Sequence, residues 1–137
     1  MKYKKVELAD ELIEKFLHNQ TNENFADLID CLINSKVYLI NKDIDNTLKK
    51  LNNMGITPLV ITDSEKKNYI PLFTTDSQII NDEIKKYEKI EDDFKELCND
   101  SIITNEYIEG FVLNPFTHGL KIPKEVIKIV IKYKENE

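Results

Sequence analysis

Apolar residues recur along the chain with two different periods, and segments of the two periods alternate. Near the N-terminus they fall three or four positions apart, which is the spacing of one face of an α-helix. The first such set is Val6, Ala9, Ile13, Phe16 and Leu17, and the second is Phe25, Leu28, Ile29, Leu32 and Ile33. A Thr21 or Asn22 cap opens the second set. The pattern therefore predicts two amphipathic helices that pack together.

Short runs rich in β-branched and aromatic residues predict the strands. They span residues 37–40, 57–62, 68–73, 87–90 and 111–113. A polar segment of five residues joins the second run to the third, which is typical of a hairpin. Pro71 has no amide donor, so we expect it at an edge, at a bulge or at a ladder position whose hydrogen bond is not needed.

Further helices are predicted between and after these strands. Residues 43–54 place apolar side chains on one face and end at Gly55, a suitable C-terminal stop. Asp76 is expected to cap a short helix that carries Ile79, Ile80 and Ile84, and residues 92–98 form the next helix.

The C-terminal segment fits two patterns. Ile127, Ile129 and Ile131 alternate as they would in a strand. A helix fits better, because Pro123 suits a first helical position and Lys124, Lys128 and Lys132 then form one solvated stripe.

The alternation of elements predicts an α/β (α+β) fold, with a mixed sheet of four or five strands flanked by helices. A chain of 137 residues, 41% of them hydrophobic, can bury one core without disulfides or metal. We therefore expect a single domain over residues 1–137. The residues that we expect to be largely buried, most of them in one core, are Phe25, Leu28, Leu32, Leu39, Val60, Leu72, Phe73, Val112, Leu113 and Val130.

Charge and cysteine content indicate which classes of binding partner and which cellular compartment suit the chain. The net charge of -6, from 25 acidic and 19 basic residues, repels phosphate backbones and argues against nucleic acid. Acidic residues interrupt the N-terminal lysines before an apolar stretch can form, which is not typical of a signal peptide. No apolar run approaches the roughly 18 residues of a membrane span, and the lysine stripe lacks the interfacial Trp of a membrane-surface helix. Two cysteines, Cys31 and Cys98, favour reduced thiols in a cytoplasm.

Two segments, residues 69–76 and 110–120, each run from an apolar strand into polar turn residues. Loops at strand ends are where binding residues concentrate. The candidate binding residues are Thr74, Thr75, Asp76, Asn114, Phe116 and His118. If the strands run parallel, Thr74, Asn114 and Asn41 should gather at one edge of the sheet.

No catalytic or metal-ligating pattern accompanies these residues, and no cofactor is expected. Asp76 or Thr75 is expected to cap the helix that follows, which leaves no free amides for an anion. His118 is interpreted as a solvent-exposed turn histidine, with no carboxylate or thiol within about 4 Å. Both cysteines fall on helical stretches, where buried thiols are inert. Asp10 is interpreted as part of a solvated helix start.

The order of these segments resembles the N-terminal domain of the SseB family. The resemblance rests on the helix at 25–33, VYLI at 37–40, YIPLFTTD at 69–76, GFVLNPF from 110 and GLKIP from 119. In that family one strand closes in a Pro-hydrophobic-Phe-Thr-Ser pattern, and a later strand closes in Asn-Pro. This chain departs from the pattern at Thr75, where Ser is common, and at Phe116-Thr117, where small residues or Gly are common.

The resemblance covers residues 7–133 and implies a single SseB N-terminal-like domain from a bacterium. Other members often carry a second domain. The function it implies is a non-catalytic module that binds a protein or a small molecule. The alternative is a small enzyme acting on a polar metabolite at the strand ends, near Thr74, Asp76 and His118.

Overall fold

Most of the predicted strands and helices are present, in the predicted order. The structure, a computed structural model, describes residues 2–42, 58–98 and 106–135. The helices are α1 (Lys2–His18), α2 (Asn22–Ile33), α3 (Asp82–Lys85), α4 (Phe94–Cys98) and α5 (Lys124–Glu135), with a 3-10 turn at Asp76–Gln78. The strands are β1 (Lys36–Asn41), β2 (Ile61–Thr62), β3 (Asn68–Leu72), β4 (Glu88–Asp93), β5 (Ile108–Leu113) and β6 (Leu120–Pro123). The helix predicted at 43–54 lies outside the described residues.

The N-terminal helices form as predicted. The Thr21 side chain caps α2 by accepting a hydrogen bond of 3.1 Å from the backbone amide of Asn24. The side-chain amide of Asn24 donates to the carbonyl of Asn19 at 2.8 Å. The rings of Phe16 and Phe25 lie 5.3 Å apart and join α1 to α2.

The sheet is mixed, which confirms the predicted α/β class. Four strands pair in the order β2-β3-β5-β6, with β3 and β5 parallel and the outer pairs antiparallel. Strands β1 and β4 form a separate antiparallel pair. Tyr38 and Phe73 exchange two backbone hydrogen bonds of 2.8 and 2.9 Å, so β1 continues the edge of β3 where short β2 has ended.

Pro71 lies at a ladder position that does not need its hydrogen bond. Amides alternate in direction along a strand. The carbonyl of Leu72 accepts from Asn114 on the β5 side, whereas Phe73 bonds to Tyr38 on the other side. The backbone nitrogen of Pro71 therefore points away from β5, toward the side of β2. The pairing of β2 with β3 stops at Tyr69, so no hydrogen bond is required at Pro71.

Several predicted boundaries are wrong. In the described part of the hairpin, the strand before the turn covers only Ile61–Thr62, and Val60, which we expected to be buried, is 41% exposed. Strand β6 was not predicted, and Pro123 ends it instead of starting the helix, so α5 begins at Lys124. The reason is that β6 pairs with β5, a contact that periodicity does not encode.

The segment after β3 also differs from the prediction. Asp76 does not cap a helix, because it lies inside the 3-10 turn. The separate helix α3 is capped by the side chain of Asn81, which accepts from the amides of Glu83 and Ile84. The chain bends between these two elements, so Ile79 is buried while Ile80 is 53% exposed.

The core lies between the helices and the four-stranded sheet. Most residues that we expected to be buried are buried: Leu28, Leu32, Leu39, Leu72, Phe73, Val112, Leu113 and Val130. Phe25 is half-buried at the edge of this core. Phe73 packs in a smaller second cluster with Ile40, Ile79 and Ile84.

Candidate functional site

The parallel strands β3 and β5 end side by side, and their carboxyl ends bring Thr74 and Asn114 together. Leu72 pairs with Leu113, and the amide of Asn114 donates to the carbonyl of Leu72 at 2.8 Å. The predicted meeting of Thr74 with Asn114 is therefore confirmed.

Asn41 does not join them, which corrects the prediction. Its strand, β1, runs antiparallel to β3 at the bridge between Tyr38 and Phe73, so its end points away from Thr74. Its side chain donates to Glu88 at 2.9 Å.

Asn114 organises the turn after β5. It is fully buried and has a φ of 48°, in the left-handed region that Asn tolerates better than most residues. Its carbonyl accepts hydrogen bonds from the amides of Thr117 and Gly119, at 3.0 and 2.9 Å. Its side-chain oxygen accepts from the amide of Thr74 at 3.0 Å. Only an oxygen can accept from that backbone amide, so the orientation of the Asn114 amide is determined.

The side-chain nitrogen of Asn114 continues this hydrogen-bond network through the side chains of Thr74 and His118. It donates to the Thr74 hydroxyl and to Nδ1 of His118, each at 3.0 Å. The Thr74 hydroxyl donates to a carboxylate oxygen of Asp10, on α1. The other oxygen of Asp10 accepts from the Gln78 side chain at 3.1 Å. We refer to Asp10, Thr74, Gln78, Asn114 and His118 as the strand-end cluster.

The placement of His118 overturns two predictions. Its side chain is only 11% exposed, so it is not a solvent-exposed turn histidine. Its Nε2 atom lies 3.6 Å from a carboxylate oxygen of Glu14, inside the 4 Å that we expected to be empty. The partners that we weighed were Asp76 and the two cysteines, whereas Glu14 comes from α1, which packs across the strand ends.

The hydrogen bonding fixes the tautomer of the neutral His118 ring. The amide nitrogen of Asn114 can only donate, so Nδ1 accepts and the proton resides on Nε2. That N–H is the His118 group nearest to Glu14, whose side chain is 62% exposed. At 3.6 Å the two groups attract one another electrostatically but do not form a hydrogen bond.

The other three candidate residues lie outside the cluster. The Thr75 hydroxyl bonds to that of Ser77 at 2.8 Å and provides no helix cap, contrary to expectation. Asp76 is exposed and pairs with Lys89, at the edge of a shallow cavity of about 390 Å³. The ring of Phe116 packs 6.1 Å from that of Phe73. Phe116 thus contributes to packing.

Most polar groups of the strand-end cluster are bonded to one another and are not available for chemistry on a ligand. Thr74 is 2% exposed and its hydroxyl is bonded to Asp10, so it offers no free nucleophile. Burial raises the pKa of the Cys98 thiol to about 12, which makes it inert at neutral pH. Among the described residues, no group of three or more His, Cys, Asp or Glu side chains is arranged to hold a metal ion.

A second feature of the molecule is apolar and exposed, whereas the strand-end cluster is polar and buried. An apolar groove of about 360 Å³ runs between α2 and α5. Its apolar lining consists of Phe25, Ala26, Ile29, Ile33, Val126 and Ile129. Ala26 and Ile129 are exposed, Ile129 to 57%. We refer to this feature as the helix groove.

Sequence reasoning missed residues in both places. Asp10 was interpreted as a solvated helix start, but it lies in the middle of α1 and is half-buried. A usable signal was its position beside Ala9, on the buried side of that helix. Ile129 falls outside the apolar face of α5 that contains Ile127 and Val130, and an apolar residue left on a polar face is a signal of a surface contact.

No family model, curated protein or solved structure matches the chain. In the part of the chain that the structure covers, none of the helices combines the length and apolar character that crossing a bilayer requires. The functional conclusion therefore depends on the geometry of the two features.

Proposed function

We propose that this chain is a non-catalytic binding module, of the kind that the SseB resemblance implies, and that it engages a protein partner through the helix groove. The observation that carries the proposal is the apolar lining of the groove next to exposed Ile129. Apolar surface gathered in one concave site is typical of an interaction surface. We place the protein in a bacterial cytoplasm because neither of its two cysteines is in a disulfide and because of the resemblance.

A protein partner suits the groove better than a polar metabolite does. Polar ligands need several convergent hydrogen-bonding groups to fix their orientation. The groove offers Asn22 and Asp30 at its margin and otherwise apolar side chains. Nucleic acid remains an unsuitable partner because the chain carries a net charge of -6.

Site-specific photo-crosslinking in the native cell tests the proposal. A photoreactive amino acid is placed at Ala26, which is exposed in the groove, and at Ser77, which is exposed at the shallow cavity, as the matched control. We expect a protein adduct from position 26, none from position 77, and loss of the adduct when Ile129→Asp is added. Equal labelling at both positions, or no adduct from position 26, would reject the proposal.

A second candidate function is supported by His118. Asn114 orients its ring, and the Glu14 carboxylate, now 3.6 Å from Nε2, would assist this histidine in proton transfer once it approached to about 3.2 Å or less. A small enzyme acting on a polar metabolite would use this histidine. Titration of the protein with a panel of polar metabolites, followed by amide resonances of Thr117 and Gly119, tests it. Saturable shifts that His118→Gln abolishes would support the enzyme, and unchanged spectra would exclude it.

A further inference from the structure

The charges beside the helix groove differ between its two sides. On α2 the exposed charged residues are Glu23, Asp27 and Asp30, all acidic. On the described part of α5 they are Glu125, Lys128 and Lys132, with a net positive charge. One side of the groove is therefore acidic and the other is basic.

Four of these charged side chains have no charged or hydrogen-bonding partner among the described residues. In the described part of the molecule, Asp27, Asp30, Lys128 and Lys132 form no ion pair or side-chain hydrogen bond. Asp30 itself lines the groove, and Lys128 precedes Ile129, which lines the other wall. The apolar lining therefore lies between two helices whose exposed charges differ in sign, and Asp30 lies in the groove itself.

We infer that the occupant of the helix groove is a second copy of this chain, related to the first by a twofold axis that runs along the groove. The inference rests on the proposed function, because it names the protein partner of the same surface. A twofold axis along the groove places α2 of each copy over α5 of the other. The acidic side then faces the basic side twice, and Ile129 of each copy enters the apolar groove of its partner.

The charges also exclude the other simple twofold arrangement. An axis lying across the groove would place α2 over α2 and bring the acidic sides together. Like charges held face to face at an interface are unfavourable. A partner that is basic along its whole length would satisfy α2 but would be repelled by Lys128 and Lys132. The same chain satisfies both sides at once.

The size of the patch predicts a weak dimer. Each helix has 12 residues and is thus about 18 Å long. Two such helices about 10 Å apart present about 400 Å² from each copy, which is below the standard size of a stable interface. We expect dissociation in the range of about 10 to 100 μM, and weaker association at high salt.

Sedimentation velocity over a range of protein concentrations measures this directly. The mass should rise from 16.1 kDa toward twice that value as concentration increases. Ile129→Asp should weaken the association at least tenfold. Ile80→Asp, at an equally exposed isoleucine away from the groove, should leave it unchanged. Circular dichroism of each variant separates loss of association from loss of folding.

A charge exchange tests the direction of the axis. Asp30→Lys and Lys132→Asp should each weaken self-association about fivefold or more. An equimolar mixture of the two should restore it, because both ion-pair contacts of the mixed dimer are then between opposite charges. Asp82→Lys, on the exposed surface of α3, serves as the control and should have no effect.

The outcomes separate the inference from the proposed function. A wild-type chain that stays monomeric over the whole concentration range overturns the dimer. If crosslinking from Ala26 then yields an adduct heavier or lighter than two chains, the groove still binds a protein and only the identity of the partner was wrong. A monomer that gives no adduct at all overturns both. A mixture of Asp30→Lys and Lys132→Asp that fails to associate overturns the proposed axis.

Discussion

The strand-end cluster and the helix groove are opposites in composition and in exposure. The cluster is polar and enclosed, with Asn114 fully buried and Thr74 2% exposed. The groove is apolar and open, with Ile129 57% exposed. Polar groups normally belong in water and apolar groups in the core, so each region needs an explanation.

The explanations differ in kind. The polar side chains of the cluster bond to one another, so their burial is compensated and they tie α1 to the ends of β3 and β5. In the groove, by contrast, Ala26 and Ile129 stay exposed to solvent in the described chain, beside side chains that already belong to the core. Polar residues at strand ends can thus serve the structure alone. Exposed apolar residues on a helix can instead indicate a binding surface.

Among substitutions that shorten a side chain, the largest effect that we expect comes from the core beneath the groove. Leu32 is fully buried on the inner side of α2, and Leu32→Ala should lower the free energy of unfolding by about 2 to 5 kcal/mol. Ala26→Ser, on the exposed side of the same helix, should change it by less than about 0.5 kcal/mol. Urea unfolding measures both. Similar values for the two variants would mean that the two faces of α2 are wrongly assigned.

The strand-end cluster should be costly to dismantle. Asn114→Ala removes the acceptor of the Thr74 amide and forces alanine into a φ of 48°, so we expect a loss of about 3 kcal/mol in the free energy of unfolding. Asn114→Gly removes the same side chain without the backbone strain and should cost about 1 kcal/mol less. A nearly neutral Asn114→Ala would show that the cluster does not hold the structure, and would return it to consideration as a binding site.

A hydrogen-bonded ion pair outside both regions should have a smaller, pH-dependent effect. Lys121 donates to Asp63 at 2.8 Å, and this bond, followed by bonds from the amides of Lys67 and Glu65, holds the pKa of Asp63 below its usual 3.8. The stabilisation is complete above that usual value and is lost as the pH falls through the lower pKa of the folded state. The hydrogen bond to Asp63 likewise raises the pKa of Lys121, so its contribution is lost only at strongly alkaline pH.

Lys121→Met should accordingly lower the melting temperature slightly at neutral pH, and the difference from the wild-type chain should shrink in acid below the pKa of folded Asp63. Thermal unfolding followed by circular dichroism at several pH values measures it. A difference that grows as the pH falls would contradict the assigned sign.

The smallest effect on stability is expected in the groove. Ile129→Asp should change the free energy of unfolding by less than about 0.5 kcal/mol, because the side chain is already largely in water. Val130→Asp, one position along on the buried face, should unfold much of the protein, since it buries a carboxylate. An Ile129→Asp variant that is as unstable as Val130→Asp would show that Ile129 serves the core and not a partner.

The sequence by itself determined the local structure and part of the strand-end geometry. Helical spacing and the Thr21 cap predicted α2, and the apolar run from Phe111 to Leu113 predicted the centre of β5. The meeting of Thr74 with Asn114 followed from the rule that parallel strands share an edge. These features depend on neighbours in the chain or on one pairing, which a pattern can express.

Only the tertiary structure decided which elements meet. Strand direction placed Asn41 at the far end from Thr74, because the pairing of β1 with β3 is antiparallel. Packing of α1 across the strand ends brought Asp10 and Glu14 to Thr74 and His118, from more than 60 residues away in sequence. Docking of α5 beside α2 left Ile129 uncovered. A periodic pattern identifies the apolar face of an element, but what covers that face is set by contacts between distant segments, and those form only when the whole chain folds.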